Sequence, residues 1–402
     1  MKIAVLCPRF PYPPDRGDRL TIFTLLRLFS AKHEVTLLSL VDGTEVPDAI
    51  EKVSAYARVE TVRLSRARSW AQAWLGLFSA VPSQVSYYRS EAMRALVRRA
   101  LAAQPFDVVF THTFRMAQFA MGVAHPARVM WLGDSTAMAL GASARVAPWW
   151  KRRGILWEAR RVQRYQVLAS RSHVESWALS AVDQQDLQRI GCHNVQLVPH
   201  GVDERLFDVE PAPTPDLDVV FLGNLSVPHN IDAAQLSARE IWPAVRTAFP
   251  SARLRLVGAH PTPAVRRLST LEGVDVVGFV PDLREVWRSA RVLLSPLRFG
   301  SGIQNKILEA MAAGVPVVTT PRAAEAIQAS HGEHLLVSES VDGLSAAVID
   351  TLRDRAAAEE RARRARRHVR DHFTWTTILH RIERVAAAAK SSAGQAEGRV
   401  VA

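Results

Sequence analysis

Cysteine, lysine and long apolar runs are all scarce in this 402-residue chain. Its two cysteines, Cys7 and Cys192, lie far apart and outside any His/Cys cluster, which excludes a disulfide framework, a zinc site and a thiol redox pair. No stretch approaches the roughly 18 consecutive apolar residues that a membrane-spanning helix needs. Residues 1–6 read as a β-strand, so we expect neither a signal peptide nor a membrane anchor, and a cytoplasmic location.

Negative charge is also in short supply, because the formal net charge is +12. Arginine supplies most of the excess, and a bias towards arginine codons would give the same count. The charge suits nucleic acid, an anionic membrane surface or a phosphorylated substrate. A nucleic-acid binder would display aromatic residues on a strand platform, or a recognition helix. The sequence shows neither pattern, so we expect no nucleic-acid partner.

Thirteen short runs rich in β-branched residues recur along the chain, with helical stretches between most of them. The runs are apolar throughout, as in Val219-Val220-Phe221-Leu222, and do not alternate with polar residues. Strands that are buried on both faces by crossover helices have this pattern, so we predict parallel sheets and an α/β class. The runs are residues 2–7, 34–40, 59–64, 107–112, 128–132, 175–180, 194–199, 218–223, 253–258, 274–279, 291–296, 315–320 and 334–337.

Prolines near the middle of the chain mark a linker, because three of them alternate with small or acidic residues within 208–216. The linker divides the runs into seven and six, which predicts two Rossmann-like domains facing across a cleft. Domain interfaces and the carboxyl ends of parallel strands are preferred ligand sites. The predicted parts are an N-terminal domain (1–207), a linker (208–217), a C-terminal domain (218–370), a helix packing back towards the N-terminal domain (371–390) and a disordered tail (391–402).

Candidate ligand-binding residues follow the strands of the first half. Gly17 and Arg19 stand where a Pro-rich segment gives way to a helix, whose N-terminus favours an anion. His112 ends the fourth run and Asp134 follows the fifth, so both are predicted to point into the cleft. A structural role for His112 and a helix-capping role for Asp134 remain open alternatives.

Two segments of the first half interleave tryptophan with arginine or lysine, at residues 66–78 and 148–165. Aromatic rings at headgroup level and cations against anionic lipid suit a peripheral membrane surface. A tryptophan stripe packed in the core explains each segment equally well. Their occurrence in the same half favours contact with an anionic membrane.

The strongest chemical signal lies in residues 295–318. A strand leads to Arg298, a Gly-Ser-Gly turn exposes backbone N–H groups, and a helix begins there with its positive end towards the same space. Lys306 and Glu309 stand within that helix. Together they predict an anion cradle with a carboxylate available to a ribose diol. Gly223 ends the first strand of the second half and permits a similar backbone approach.

These segments resemble a known family. The helix-to-strand segment 306–318, Pro199-His200-Gly201-Val202-Asp203, and residues 221–223 with 228–230 look like family 4 of the retaining GT-B glycosyltransferases. The likeness covers nearly the whole chain, from the first strand to Trp375. Residues 7–18 and 157–161 resemble the sugar transferases associated with exosortase and PEP-CTERM exopolysaccharide loci.

The resemblance implies a nucleotide-sugar donor on the C-terminal domain, with Glu309 on the ribose and Arg298 and Lys306 on the diphosphate. It implies transfer, with retained configuration, to a glycan or polyprenyl-linked glycan acceptor on the N-terminal domain, in exopolysaccharide or cell-surface polysaccharide synthesis. This work would be done in the cytoplasm or at the inner membrane face. The remaining implied contacts are Gly223, Ser301, Gly302 and Ile303 for the donor, and Gly17, Arg19 and Asp134 for the acceptor.

Three positions depart from the family pattern. Ser301 stands where many members have a first glutamate, which alters the expected contact with the donor sugar. Gly133-Asp134 replaces the usual His-Asp pair, so no histidine occupies that place. His200 replaces the asparagine of the usual Pro-Asn-Gly-Val-Asp segment.

Charge development suggests the mechanism. Breaking the anomeric bond builds negative charge on the diphosphate, which Arg298, Lys306 and a helix N-terminus would stabilise. No Asp-x-Asp pair is placed to hold a metal there, so we expect neither a metal nor another cofactor. Either His112 or Asp134 would position the acceptor hydroxyl. The alternative reading is a GT-B-fold sugar-nucleotide epimerase, which has no site for a second substrate.

Overall fold

The computed structural model describes residues 1–14, 17–123, 125, 127–210, 212, 218–299 and 303–400. The chain divides into two compact units, and each is described by itself below. The first unit contains Met1–His200 together with Trp375–Ala402, and the second contains Gly201–Thr374. The chain thus changes unit at Gly201, before the predicted linker, of which residues 211 and 213–217 lie outside the described part.

The first unit is built on a seven-stranded sheet in which all neighbouring strands are parallel. Its order is β3-β2-β1-β4-β5-β6-β7, and all seven predicted runs are confirmed as strands. Side chains such as Ile3, Val5 and Leu37 are completely buried, as the continuous apolar pattern predicts. The strands are β1 (Lys2–Cys7), β2 (Glu34–Val41), β3 (Arg58–Arg63), β4 (Val108–His112), β5 (Arg128–Gly133), β6 (Glu175–Ala178) and β7 (Val195–Leu197).

Helices connect these strands, and several begin at a serine whose hydroxyl accepts a hydrogen bond from a backbone N–H of the first turn. Ser65, Ser90 and Ser180 cap α3, α5 and α9 in this way. The helices of the first unit up to its crossover are α1 (Gly17–Ser30), α2 (Ala49–Ser54), α3 (Arg66–Gly76), α4 (Ser83–Tyr87), α5 (Glu91–Ala103), α6 (Ala117–Ala120), α7 (Thr136–Val146), α8 (Trp149–Arg171) and α9 (Ala181–Arg189).

The second unit repeats the plan with a six-stranded parallel sheet of order β10-β9-β8-β11-β12-β13. All six predicted runs are confirmed as strands. The strands are β8 (Asp218–Leu222), β9 (Arg253–Val257), β10 (Val274–Gly278), β11 (Ala290–Ser295), β12 (Val317–Thr319) and β13 (Leu336–Val337). The helices are α10 (Pro228–Leu236), α11 (Trp242–Ala248), α12 (Pro263–Arg266), α13 (Leu283–Ser289), α14 (Asn305–Ala312), α15 (Pro321–Ala326), α16 (Val341–Arg353) and α17 (Arg355–His372), with 3-10 turns at Glu204–Asp208 and Arg267–Thr270 and a π-helical turn at Ser237–Ile241.

The chain returns to the first unit as one long helix, α18 (Trp375–Val400). Within that unit the Arg381 guanidinium is 2.8 Å from the Glu175 carboxylate, and the Lys390 ammonium is 2.7 Å from Asp107. The sequence predicts a disordered tail from residue 391, whereas the backbone of α18 is helical to Val400. Residues 375–400 are rich in alanine and contain no proline.

The strand order of each sheet shows where a ligand-binding crevice is expected. In both sheets the order reverses beside the first strand of the unit, between β1 and β4 and between β8 and β11. Loops that follow strands on the two sides of such a switch point diverge and leave a crevice at the carboxyl edge. His112 ends β4, whereas Gly223 follows β8 and Arg298 follows β11.

Candidate functional site

The second unit gathers its chemically active side chains where β8 and β11 lead into α10 and α14. Lys306, in the first turn of α14, is buried, and its ammonium donates a 2.7 Å hydrogen bond to Asn230 Oδ1. The same ammonium lies 4.8 Å from the centre of the Phe221 ring. Burial lowers the pKa of Lys306 to about 7, against the opposing effect of Glu309. An arriving anion would therefore favour the charged ammonium form of this side chain over its neutral form.

Glu309 lies three residues after Lys306 on α14, so the two side chains are neighbours on the surface of the helix. Burial and, to a smaller extent, the charge of Asp203 raise the pKa of Glu309 to about 7, against the opposing effect of Lys306. Glu309 is half-buried rather than sealed, so its carboxyl group remains within reach of a ligand. The helix thus carries a cation and a carboxyl group that both titrate close to neutral pH.

Gly223 leaves the space that the side chain of Asn230 occupies, and the sequence analysis gave Asn230 no role. A Cβ at Gly223 would lie 2.8 Å from Cγ and 2.9 Å from Oδ1 of Asn230. Asn230 in turn donates to the Asn224 carbonyl at 3.1 Å and accepts from Lys306. The small residue therefore makes room for the amide that holds the lysine. The Pro-His-Asn sequence at residues 228–230 was the available signal for Asn230.

Arg298 does not present a free cation. Its guanidinium forms a two-pronged ion pair with Asp232 of α10, with Nε 2.9 Å from Oδ2 and Nη2 bonded to Oδ1. This partner raises the pKa of Arg298. The sequence-based assignment to the diphosphate therefore requires the guanidinium to be shared with, or released from, a carboxylate that the sequence analysis missed.

The turn between Arg298 and α14 is only partly described. Ser301 and Gly302, predicted to contact the donor, lie outside the described residues. Ile303 is described, half-buried, and packs against the apolar core beneath α14.

In the first unit, His112 ends β4 as a buried side chain beside Cys7 of β1, with Nδ1 3.9 Å from Sγ. The Cys7 thiol donates to the Arg9 carbonyl at 2.8 Å, which leaves its sulfur to accept. We therefore assign the proton of His112 to Nδ1, so that Nε2 is an acceptor. Burial lowers the pKa of His112 to about 3, so the imidazole is neutral at physiological pH.

Asp134 follows β5 and is exposed, but protein atoms around it and the charge of Asp183 raise its pKa to about 6. It does not cap the next helix. That role belongs to Ser135, whose Oγ accepts from the Met138 N–H while donating to Asp186 at 2.6 Å. The capping alternative for Asp134 is thereby excluded, and its carboxylate stays available.

The predicted acceptor-side residues Gly17 and Arg19 lie in the first turn of α1. Among the described residues, no heavy atom lies within 4 Å of a Cβ built on Gly17. Arg19 lines a cavity of about 390 Å³ together with Arg66 and Tyr88. A second cavity, lined by His112, shares Tyr88 with it. The structure therefore brings Arg19 and His112 to adjoining cavities.

His200, the departure from the family asparagine, has a packing role. Its ring lies between Trp131 and Trp375, with centroid distances of 5.3 Å and 5.8 Å. Nδ1 is 3.4 Å from the Thr21 hydroxyl, and burial lowers the pKa of His200 to about 4. A neutral aromatic ring thus fixes the last residue of the first unit before the crossover.

Sequence comparison connects the second unit to known enzymes. Residues 216–354, which include all the described donor-side residues, match the family model Glycosyl transferases group 1. The phosphatidyl-myo-inositol mannosyltransferase of Mycobacterium leprae is 27% identical over 320 residues, covering 74% of this chain and 77% of its own. The protein of the same description from Mycolicibacterium smegmatis is 28% identical over 209 residues, covering 50% and 53%.

Solved structures show the same fold over the whole chain. Anabaena Alr3699/HepE in complex with UDP matches with a TM-score of 0.68 and 16% identity, covering 96% of this chain and 100% of that one. WaaG, a glycosyltransferase involved in lipopolysaccharide biosynthesis, matches with a TM-score of 0.60 and 16% identity, covering 96% and 99%. The fold is GT-B, with two Rossmann-like parallel-sheet units. No helix in the described part of the chain is long and apolar enough to cross a membrane.

Proposed function

Starting from a GT-B chain whose residues 216–354 match the group 1 glycosyltransferases, we propose a nucleotide-sugar-dependent transferase that retains the anomeric configuration and needs no metal. Its acceptor is a glycan or polyprenyl-linked glycan at the inner face of the cytoplasmic membrane, in exopolysaccharide or cell-surface polysaccharide synthesis. One observation carries the proposal: within the family-matched segment, α14 places the buried Lys306 ammonium against Asn230 Oδ1, three residues before Glu309.

Each donor group has a counterpart in the second unit. Glu309 accepts hydrogen bonds from the ribose diol, and Lys306 faces the diphosphate. Arg298 joins it by sharing its guanidinium between Asp232 and a phosphate oxygen. Backbone at Gly223, Ser301, Gly302 and Ile303 completes the donor contacts.

Catalysis on this account comes mainly from charge. As the bond to the diphosphate breaks, the leaving oxygens become more negative, and Lys306 in its buried setting binds them more strongly than it binds the ground state. Because the pKa of Lys306 is low, the arriving diphosphate favours protonation of its neutral amine to the ammonium form.

On this account, the protein orients the acceptor hydroxyl by hydrogen bonds and does not remove its proton with a strong base. His112, with a pKa of about 3, is too weak a base to remove its proton at neutral pH, but Nε2 accepts a hydrogen bond. The proton passes to the leaving phosphate oxygen, on the same face of the sugar, which agrees with retention. Asp134 provides a second acceptor for the same hydroxyl.

Relatives suggest which substrates to test first. The curated relatives are described as acting on phosphatidyl-myo-inositol, and the HepE structures contain UDP or UDP-glucose. These observations favour a uridine nucleotide and an acceptor at a lipid surface. The exopolysaccharide role rests on the sequence resemblance of residues 7–18 and 157–161.

Membrane contact is supported by how the two tryptophan-bearing segments meet within the first unit. The Glu158 carboxylate on α8 accepts from the Ser83 N–H at 2.8 Å, and Arg161 bonds the Gly76 and Val81 carbonyls that follow α3. These contacts join the two segments into one surface, here called the aromatic face. Its exposed large side chains are Trp70, Trp74, Leu75, Phe78, Trp149, Trp150 and Trp157.

The aromatic face has the charge that an anionic membrane requires. Arg66, Arg68, Lys151, Arg152 and Arg153 are all exposed beside its rings. Trp149 of one segment is 85% exposed and Trp70 of the other is 66% exposed, so neither segment is the buried tryptophan stripe that the sequence left open. Rings at headgroup depth and flanking cations are the features of an interfacial segment.

A thermal-shift screen against UDP-, GDP-, ADP- and dTDP-sugars tests the donor assignment. A true donor at about 100 times its dissociation constant stabilises the fold by roughly 2.7 kcal/mol. We expect a shift with one nucleotide that is lost in Lys306→Met and Glu309→Gln and kept in Asn305→Ala, an exposed position of the same helix. A shift that survives both site variants, or no shift with any nucleotide-sugar, would contradict the proposal.

A further inference from the structure

A cavity of about 460 Å³ lies wholly within the first unit, where α3 and α4 meet the ends of β1 and β4. This volume is within the roughly 300–1,000 Å³ of small-molecule sites. His112 is one lining residue, and the others have no role in the donor site. Trp70 belongs both to the lining and to the aromatic face. The cavity therefore opens beside the surface proposed to meet lipid.

Positive charge in this cavity exceeds negative charge. Arg9 is paired with Asp18 at 3.2 Å. Arg115 has only a neutral partner, because its Nε and Nη2 donate to Gln84 Oε1 at 3.1 Å and 2.6 Å. Among the described residues, no carboxylate lies within ion-pair distance of Arg115. Burial lowers the pKa of this guanidinium, and the more distant charge of Asp18 opposes that effect only in part.

Thr113, next to His112, is held in an unfavourable conformation on the cavity wall. Its φ is +67°, a left-handed conformation that is unfavourable for a β-branched residue. Its hydroxyl is shielded from solvent and has no hydrogen-bond partner among the described residues. Strain and an unsatisfied polar group at one position are typical of a binding site.

Three aromatic rings also line the cavity. Tyr87 and Tyr88 contact each other with ring centroids 5.0 Å apart, and Trp70 lies edge-on to Tyr87 at 5.5 Å. Beside these rings, His112 offers a neutral acceptor nitrogen. A ligand that fits has a ring with an apolar face, hydroxyl groups and one negative charge.

We propose that this cavity binds an anionic glycosyl unit of the acceptor, a sugar that carries a carboxylate or a phosphate, with Arg115 as its counter-charge. The assignment of that unit to the acceptor rests on the proposed function. The preference for an anionic sugar does not, because it follows from the cavity alone.

Calorimetric titration with three probes tests the proposal: methyl glucuronide, methyl glucoside 6-phosphate and neutral methyl glucoside. Wild-type protein should bind at least one anionic probe about 10- to 100-fold more tightly than the neutral probe. The two anionic probes distinguish a carboxylate from a phosphate. Arg115→Gln should remove the preference, whereas Arg98→Gln, which neutralises an exposed cation of α5, should keep it.

Equal affinity for all three probes, or an anion preference that persists in Arg115→Gln, would overturn the proposal. Nucleotide-sugar binding distinguishes a specific loss of the anion preference from misfolding, because it should stay at the wild-type level in Arg115→Gln. Failure of the nucleotide-sugar screen combined with an intact anion preference would reject the transferase function while retaining the anionic-sugar site.

Discussion

At the scale of single residues, the proposed donor contacts of Lys306 and Glu309 predict an exchange of protons on binding. Burial depresses the pKa of the lysine and raises that of the glutamate, and both values come to about 7. At pH 8 the lysine is mostly neutral and the glutamate mostly ionised. At pH 6 the lysine is charged and the glutamate protonated.

Donor binding should therefore take up a proton at pH 8, where the diphosphate charges Lys306, and release one at pH 6, where the ribose diol favours ionised Glu309. Calorimetry in buffers of different ionisation enthalpy measures this exchange. Lys306→Met should lose the uptake at pH 8, and Glu309→Gln should lose the release at pH 6. The same proton count in wild type and in both variants would refute the assignment.

Thr113 offers a stability test of the strained cavity wall. Thr113→Gly relieves the positive φ and removes an unpartnered hydroxyl, against the entropy cost of glycine, so unfolding should become harder by about 1 kcal/mol. Denaturant titration measures it. Thr61→Gly, inside β3, is the control and should lose about 1 kcal/mol. Destabilisation of the same size in both variants would show that Thr113 is not strained.

The side-chain pairs of the site could not be predicted from the sequence, for a physical reason. Asn230 and Lys306 are 76 positions apart, and Arg298 and Asp232 are 66 apart. Such pairs form only after strand order has been decided, which local residue patterns do not specify. The charge types and the helix that carries them were predictable, because the glycine turn and its flanking residues are local.

At the scale of elements, the contact of β8 with α10 controls how α14 presents its lysine. Gly223→Ala would place a Cβ 2.8–3.0 Å from the Asn230 side chain. We expect a loss of about 1–3 kcal/mol in folding free energy from this overpacking, and weaker nucleotide binding because the partner of Lys306 is displaced.

Gly17→Ala provides the matched control, since its Cβ would meet nothing within 4 Å, and it should leave both properties unchanged. The double variant Gly223→Ala with Asn230→Ala should regain part of the lost folding free energy, because the clash is gone. Chemical denaturation and nucleotide titration measure the two effects. Equal effects of the two glycine substitutions would contradict the role given to Gly223.

Element type was predictable for all thirteen strands, because apolar β-branched runs between helical stretches indicate buried parallel strands. Element ends were less predictable. Residue 391 looks like the start of a polar tail, but helix propagation costs little once α18 is anchored by Arg381 and Lys390. Local composition does not report such distant anchors.

At the scale of the whole molecule, part of the excess positive charge borders the aromatic face, at the exposed residues Arg66, Arg68, Lys151, Arg152 and Arg153. Wild-type protein should float with vesicles that contain phosphatidylglycerol and not with neutral phosphatidylcholine vesicles. Replacing Lys151, Arg152 and Arg153 by glutamine should reduce the bound fraction several-fold, at about 1 kcal/mol per cation. Phe279→Ser, an exposed ring of the second unit, is the control and should bind as wild type does. Unchanged flotation of the triple variant would count against the aromatic face.

Both units repeat the same strand order, so each offers a switch-point crevice for one of two substrates. A GT-B-fold epimerase would share this two-unit architecture, so transfer to an added acceptor, and not the strand order, separates the two functions. The chain thus holds a buried lysine and a nearby glutamate in one unit, and a cavity with excess positive charge in the other.

Sugar transfer itself tests this account most directly. Purified protein is incubated with an isotope-labelled form of the nucleotide-sugar selected by the screen and with membranes of the source organism. Labelled sugar should appear in the solvent-extracted lipid fraction with the anomeric configuration of the donor, and Lys306→Met should lower the rate by about 10²–10³. Label confined to an epimerised nucleotide-sugar, or equal transfer by wild type and Lys306→Met, would contradict the account.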